Sequence, residues 1–413
     1  MMTPLRPYLA PLRRQRLMPL LVVAQTALAC AILANMLFLL WQKLGPMLVP
    51  DGLPRNELVL VDQLVSNKGS WNAAQVRAGA EALRAIPGVK AVSPTIGLPM
   101  SSTLTMTGRV TGPQATETVS LFTGDTLLDA LGLQLSSGRD FSAQERKDID
   151  LGAPDVPGQT EAVIITDALA RHMFGNRPAL GGVLTGKDPK DPARFVVVGT
   201  VKHLLRYQID ELDDGKAEFS MVTAGKVTGV PILTYAVRAA PEQRQAVIAQ
   251  IPQRLKHVLG PDMMEGIDMR VSDYESQRDA RLKPRRAAIW LFGTVSAVVA
   301  TITLIGIASL SGFWIQQRTR QIGIRRALGA TRGQVLRHFQ VENLLVTGSG
   351  IALGMPLAYA ANLWLLSHYA LPRLPAVYLP IGLVALLLLG QLAVLAPARR
   401  AAAIPPAVAT RSA

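Results

Sequence analysis

The sequence has almost no cysteine. Cys30 is the single one among 413 residues, so no disulfide can form within the chain, and a zinc site built on cysteine is excluded. The five histidines are scattered without the spacing of metal ligands, and no nucleophile stands with a base in a catalytic pattern. We therefore predict no catalytic residue, no metal site and no cofactor bound by this chain.

Charge is scarce as well, and acidic residues are missing from two basic segments. Only 17% of the residues are charged and 49% are hydrophobic, which is the balance of a membrane protein. Residues 1–16 and 315–340 carry arginines without a single acid, whereas the middle region 43–286 is close to neutral. Basic residues beside apolar runs mark the cytoplasmic ends of membrane spans. The net charge of +14 therefore indicates a membrane topology, and nucleic-acid binding is not expected.

Four stretches lack charge and are long enough to cross a hydrocarbon core of about 30 Å. The first follows a basic start, so a cleaved signal peptide is the alternative, and Ala27–Cys30 resembles a weak lipoprotein-processing site. The apolar run continues past Cys30 to Trp41, which favours an uncleaved anchor. The positive-inside bias then predicts that both termini are cytoplasmic and that the large middle region lies outside.

The expected fold class is a membrane protein that is α-helical with four transmembrane helices, plus an α+β extracytoplasmic domain of two lobes. Helical spacing of Val76, Ala80 and Leu83 and β-rich runs such as Phe195–Val201 indicate the mixed domain. The predicted organisation is a cytoplasmic tail at 1-16, transmembrane helix 1 at 17-41, the outer domain at 42-286, helix 2 at 287-314, a cytoplasmic loop at 315-340, helix 3 at 341-371, a short outer loop at 372-376, helix 4 at 377-398 and a cytoplasmic tail at 399-413.

The second basic segment carries the most informative pattern. Ile324 and Leu328 share one face of a short basic helix, and Gly329 is suited to a left-handed cap at its end. Thr331 and Gln334 predict a capping box that opens the next helix. A plain basic connector would explain the arginines of this loop. It would not explain the apolar pair or the paired caps.

This loop, preceded by a long apolar span, resembles the FtsX-like domain of MacB-type permeases, which would occupy 287-398. Ile86–Val89, Ser137–Ser142 and Phe195–Val201 resemble the periplasmic core domain of that family, and the order of one span, outer domain and three spans also agrees. In the family the loop is the coupling helix that docks on a cytoplasmic ATPase. Gln321 departs from the Glu that relatives commonly carry. The resemblance implies that the ATPase-coupling residues are Arg318, Arg320, Ile322, Gly323, Ile324, Arg325, Arg326, Ala327, Leu328, Gly329 and Ala330.

The resemblance also implies a function, partners and a location. We expect the permease subunit of an ABC transporter in a bacterial inner membrane, exporting or extracting peptides, antibiotics or lipoproteins. A separate cytoplasmic ATPase dimer would bind ATP and Mg²⁺, and a second permease copy or a paralogue would complete the complex. A periplasmic adaptor and an outer-membrane channel remain open as further partners. The alternative is a signalling module that controls a cell-wall hydrolase or a sensor without transport, and a membrane-anchored enzyme is the third class considered.

Two glycines in the third predicted span have the spacing that lets helices approach closely. Gly350 and Gly354 are four residues apart and so lie on one face of a helix. We predict a helix-packing contact there, either with the second permease copy in a dimer or with another helix of the same chain.

Overall fold

The computed structural model describes residues 17–150, 160–186, 193–207, 215–369 and 378–403. The chain divides into two compact units, of which residues 45–284 form one, and the segments before and after them form the other. The predicted tail at 1-16, the predicted loop at 372-376 and most of the predicted tail at 399-413 lie outside the described residues.

The elements are numbered here in chain order. The helices are α1 (Leu17–Leu48), α2 (Ala73–Arg84), α3 (Leu127–Leu131), α4 (Asp167–Phe174), α5 (Arg244–Leu259), α6 (Tyr274–Gln317), α7 (Thr319–Ala327), α8 (Arg332–Tyr369) and α9 (Tyr378–Ala403). The strands are β1 (Leu58–Val65), β2 (Val89–Ile96), β3 (Met106–Thr111), β4 (Thr116–Gly124), β5 (Leu135–Gly138), β6 (Lys147–Asp150), β7 (Thr160–Thr166), β8 (Val183–Gly186), β9 (Arg194–Val201), β10 (Ser220–Thr228), β11 (Ile232–Ala239) and β12 (Arg270–Asp273).

The strands of residues 45–284 join into one mixed sheet. Its order is β12-β1-β11-β2-β4-β3-β8-β9-β7-β10-β6, with β5 paired to β9 and an additional pairing between β4 and β10. Antiparallel pairs such as β1 with β11 stand beside parallel pairs such as β7 with β9. The prediction of a domain that mixes helices and strands is therefore confirmed.

Helices cover this sheet with apolar side chains. Val76 and Leu83 of α2 and Ile251 of α5 are buried with Tyr235 of β11, and the Tyr235 hydroxyl donates to the Val76 carbonyl oxygen at 3.0 Å. A second apolar cluster lies around α4, and a third lies around α3. Since these clusters belong to one sheet and one compact unit, the division into two lobes stays a prediction.

Four helices among the described residues are long and apolar enough to cross a membrane. They are α1, α6, α8 and α9, which agrees with the number of spans predicted from uncharged runs. Two of them are longer than the predicted spans at their N-terminal ends. The helix α6 begins at Tyr274 and not near residue 287, and α8 begins at Arg332 and not near residue 341. Charged residues such as Arg and Lys are good helix formers, so a helix does not have to end where an apolar run ends.

Side-chain amides connect the membrane helices. The Nδ2 atom of Asn343 in α8 donates to the carbonyl oxygen of Gly390 in α9 at 3.0 Å, and Asn35 Nδ2 in α1 donates to the carbonyl oxygen of Ala358 in α8 at 3.0 Å. Such bonds between spans hold helices together where water is absent. The helix α8 is thus attached to both α1 and α9.

Candidate functional site

The segment between α6 and α8, residues 318–331, is called the elbow here. It contains α7. The predicted left-handed cap after this helix is present, because Gly329 has a φ of +98°. The Ala330 N–H donates to the Arg325 carbonyl oxygen at 3.1 Å, and the Leu328 N–H donates to the Ile324 carbonyl oxygen at 3.0 Å. The first of these bonds is the six-to-one bond of a Schellman motif, which satisfies a carbonyl that the helix end leaves open.

The predicted capping box at the start of α8 is also present. The Thr331 N–H donates to Gln334 Oε1 at 3.0 Å, and the Gln334 N–H donates to Thr331 Oγ1 at 3.3 Å. Two amide groups that would otherwise lack partners at a helix start are satisfied in this way. The turn around residue 330 therefore lies between two capped helix ends, the C-terminus of α7 and the N-terminus of α8, and has a defined conformation.

One side of α7 is buried within its own chain. Ile322 is 6% exposed and belongs to the apolar cluster that contains Trp314 and Ile315 of α6 and Phe339 of α8. Gly323 beside it is buried as well. Ile322 was predicted among the coupling residues. The structure places it inward, where it anchors the elbow to the membrane helices.

The other side of α7 is open. Leu328 is 83% exposed and Ile324 is 47% exposed, one turn apart on the same face. Arg325, Ala327 and Gly329 are exposed too. Ala330 is half-buried, and the side chains of Arg320 and Arg326 lie outside the described part of the chain. The elbow thus presents an apolar pair in a basic setting, as the sequence predicted.

Arg318 turns away from this open side. Its Nη1 atom lies 3.1 Å from Oε1 and 3.3 Å from Oε2 of Glu342 in α8, and its guanidinium carbon lies 4.3 Å from the centre of the Trp314 ring. Arg318 is one of the ATPase-coupling residues implied by the family resemblance, whereas no role is predicted for Glu342. The sequence did carry one signal for a role of Glu342, because it is the single acid in residues 287–398.

The two glycines of α8 pack against α1 of the same chain. A Cβ atom on Gly350 would lie 2.8 Å from the Cβ of Thr26, and one on Gly354 would lie 2.7 Å from the carbonyl oxygen of Ala27. The predicted helix-packing contact is therefore one within the chain. The alternative of a dimer contact through these glycines stays a prediction.

No group of three or more His, Cys, Asp and Glu side chains that could hold a metal ion is found in the described residues. The absence of a metal site and of a bound cofactor stays a prediction. The elbow offers an exposed surface and a buried ion pair.

Family models match two parts of the chain. The model described as the FtsX-like permease C-terminal matches residues 293–406, which contain the elbow, and the MacB-like periplasmic core domain matches residues 47–254, about half of the chain. The chain belongs to the MacB/FtsX-like permease family. In this family member, the elbow, α8 and α9 are all inside the FtsX-like match.

Curated relatives carry names from the same family. The macrolide export ATP-binding/permease protein MacB of Photorhabdus laumondii subsp. laumondii is 25% identical over 344 residues, 80% of this chain and 48% of that protein. MacB of Rhodospirillum rubrum is 31% identical over 268 residues, 62% of this chain and 39% of that protein. YknZ of Bacillus subtilis, an uncharacterized ABC transporter permease, is 30% identical over 122 residues, 29% of this chain and 31% of that protein. This chain spans less than half the length of the curated relatives it matches.

Among solved structures, the periplasmic region of MacB from Actinobacillus actinomycetemcomitans is 13% identical with a TM-score of 0.35, covering 55% of this chain and 94% of that one. The extracellular domain of YknZ, a noncanonic ABC-type transporter from Gram-positive bacteria, is 15% identical with a TM-score of 0.33, covering 52% of this chain and 99% of that one.

Proposed function

We propose that this chain is the transmembrane subunit of an ABC transporter, and that ATP hydrolysis by a separate cytoplasmic ATPase dimer moves its outer domain. The observation that carries this proposal is the exposed pair of Ile324 and Leu328 on a helix with a defined cap, between two candidate spans. A leucine that is 83% exposed gains about 1.5–3 kcal/mol when a partner buries it fully. Such an anchor suits a groove on a partner protein.

The charges around this pair suit an acidic partner surface. Arg325 lies exposed next to Ile324, in an elbow whose sequence contains four arginines and no acid. Charges at the rim of an interface steer association, whereas buried apolar anchors carry most of the binding energy. We therefore assign Leu328 and Ile324 to the centre of the ATPase contact and Arg325 to its rim.

The inner side of the elbow suits the transmission of movement. Ile322 is packed among residues of α6 and α8, so a displacement of α7 displaces the ends of these two helices. The helix α6 extends from Gln317 back to Tyr274, with Pro284 inside it, and Tyr274 directly follows β12 in the sequence. The elbow and the outer domain are therefore connected along the chain by this helix.

The basic segments favour a topology with both termini and the elbow in the cytoplasm and the outer domain in the periplasm. We place the protein in a bacterial inner membrane, beside a second permease copy or a paralogue, with peptides, antibiotics or lipoproteins as substrates. The names of the MacB relatives support export, and a periplasmic adaptor with an outer-membrane channel would complete such a pathway.

The proposal is tested by changing Leu328 and purifying the protein from membranes that contain its ATPase. Leu328→Asp is expected to abolish ATPase copurification, because an unpaired carboxylate would enter an apolar groove. Leu328→Met, which keeps volume and apolar character, should copurify normally. Arg325→Ala should weaken copurification modestly and in a salt-dependent way. Since Leu328 is exposed, none of these changes should lower protein levels. Normal copurification and ATP turnover of Leu328→Asp would refute the proposal.

A further inference from the structure

The ion pair of Arg318 and Glu342 is buried where the elbow meets α8. The Arg318 side chain is 13% exposed and the Glu342 side chain is 1% exposed, and both carboxylate oxygens lie within 3.3 Å of Arg318 Nη1. The guanidinium group also covers the Trp314 ring. An arginine in this position cannot at the same time extend to a protein bound on the open side of α7.

Glu342 is in contact with two basic side chains, Arg318 and His338, and the charge of Arg325 in α7 also acts on it. Arg318 follows the end of α6, and His338 is one turn before Glu342 in α8, with its Nε2 atom 3.8 Å from Glu342 Oε1. The pair with Arg318 joins residues 24 positions apart in the chain, whereas the contact with His338 stays within one helix. Of the two elbow arginines that act on Glu342, Arg318 is the one that hydrogen-bonds to its carboxylate, so it is the contact that joins Glu342 to the elbow.

A buried ion pair is costly to separate. Removing one partner leaves the other charge buried without compensation, and this is far worse than never having had the pair. Because the Arg318 guanidinium contacts both Glu342 and the Trp314 ring, the start of α7 and the neighbouring turn of α8 are held in one arrangement. The two helices would then move together when the elbow is pushed.

We infer that Arg318 and Glu342 are a positioning pair that transmits movement of the elbow to α8. This inference rests on the proposed function, since the movement would come from the ATPase. It gives Arg318 a role inside the chain and gives Glu342 a role in coupling. ATPase binding is left to the open face of α7, so the pair should affect coupling more than binding.

The test is a double-mutant cycle with two readouts. Arg318→Gln, Glu342→Gln and the variant with both changes are made in a Cys30→Ser chain that carries a nitroxide label on Gln321→Cys, an exposed position of α7. Arg337→Gln, which removes an exposed arginine of α8, is the matched control. The spectrum of the label reports how firmly the elbow is held, and ATP turnover of the copurified complex reports coupling.

Each single variant should mobilise the label and lower ATP turnover on the order of tenfold at unchanged ATPase copurification. The variant with both changes should be no worse than either single one, because no unpaired charge remains. Arg337→Gln should behave as the parent. Three outcomes would each overturn the inference. The single variants could show unchanged spectra and turnover, the losses could multiply in the variant with both changes, or turnover could fall only together with copurification. If the parent chain binds no ATPase, the proposed function fails, and the label spectra alone still decide whether the pair holds the elbow.

Discussion

Gly354 lies against Cys30, so closely that a Cβ atom on the glycine would stand 2.5 Å from the Cβ of Cys30. The carbonyl oxygen of Ala27 would be 2.7 Å from the same atom. A backbone oxygen cannot move aside as a flexible side chain can. The glycine is therefore required for α8 to approach α1 within one chain.

Gly354→Ala should destabilise the membrane unit. Overpacking of this kind costs about 1–3 kcal/mol, because the two helices must separate to admit the methyl group. The expected result is a lower melting temperature of the detergent-solubilised protein, measured by fluorescence-detected size exclusion after heating. Gly348→Ala is the matched control, since a Cβ atom there meets nothing within 4 Å. Equal melting temperatures of the two variants would contradict the packing role of Gly354.

Gly329→Val should loosen the elbow through backbone strain alone. A Cβ atom at this position meets nothing within 4 Å, but the φ of +98° is one that β-branched residues adopt poorly. The cost should be about 1–2 kcal/mol, and Gly329→Asn should cost less because Asn tolerates left-handed conformations better. ATPase copurification from membranes measures the effect.

The control for this change is Gly333→Val, at the start of α8. Gly333 also has open space around it, and its φ is not in the left-handed range. The variant tests whether valine as such disturbs the segment. If Gly329→Val and Gly333→Val copurify with equal amounts of ATPase, the left-handed cap has no part in docking.

Local signals in the sequence predicted the elbow well. The left-handed cap at Gly329 can be predicted without knowledge of the rest of the fold. The capping box of Thr331 and Gln334 is recognised from a spacing of three residues. Local signals do not, however, show which side of α7 is buried, because this depends on contacts with other helices. Ile322 and Ile324 are equally apolar, and only the packing of α6 and α8 decides that Ile322 points inward.

Contacts between distant residues were beyond the reach of the sequence. The parallel pairing of β10 with β4 joins Ser220 to Ser120, and nothing in either strand specifies the other. The pair of Arg318 and Glu342 was hidden for a similar reason, because a basic loop next to a lone acid predicts attraction but not burial. The sequence predicted the spans and the mixed class of the outer domain from composition and periodicity, which do not encode strand order.

Glu145 makes the outer domain sensitive to acid. The Arg139 guanidinium donates to both carboxylate oxygens at 2.7 and 2.8 Å, and with the Ser142 N–H it lowers the pKa of Glu145 to about 2. The unfolded value is about 4.3, so this stabilisation is complete above that pH and is lost as the pH falls towards 2. Thermal melts of residues 45–284 between pH 2 and pH 7 should show Glu145→Gln less stable at pH 7 and equal to the parent near pH 2. A constant difference across this range would exclude the carboxylate as the cause.

The proposed topology can be tested at one residue on each side of the membrane. The Lys68 side chain is 68% exposed in the outer domain, and Arg332 is exposed where α8 leaves the elbow. The native Cys30 is 2% exposed and should not react, so the parent chain is the blank, and a Cys30→Ser background carries the new cysteines. In intact spheroplasts, an impermeant thiol reagent should label Lys68→Cys fully, whereas Arg332→Cys should react only after lysis, because the basic elbow faces the cytoplasm. Labelling of Arg332→Cys before lysis would place the elbow outside, beyond the reach of any cytoplasmic ATPase, and the proposed function would fall with the topology.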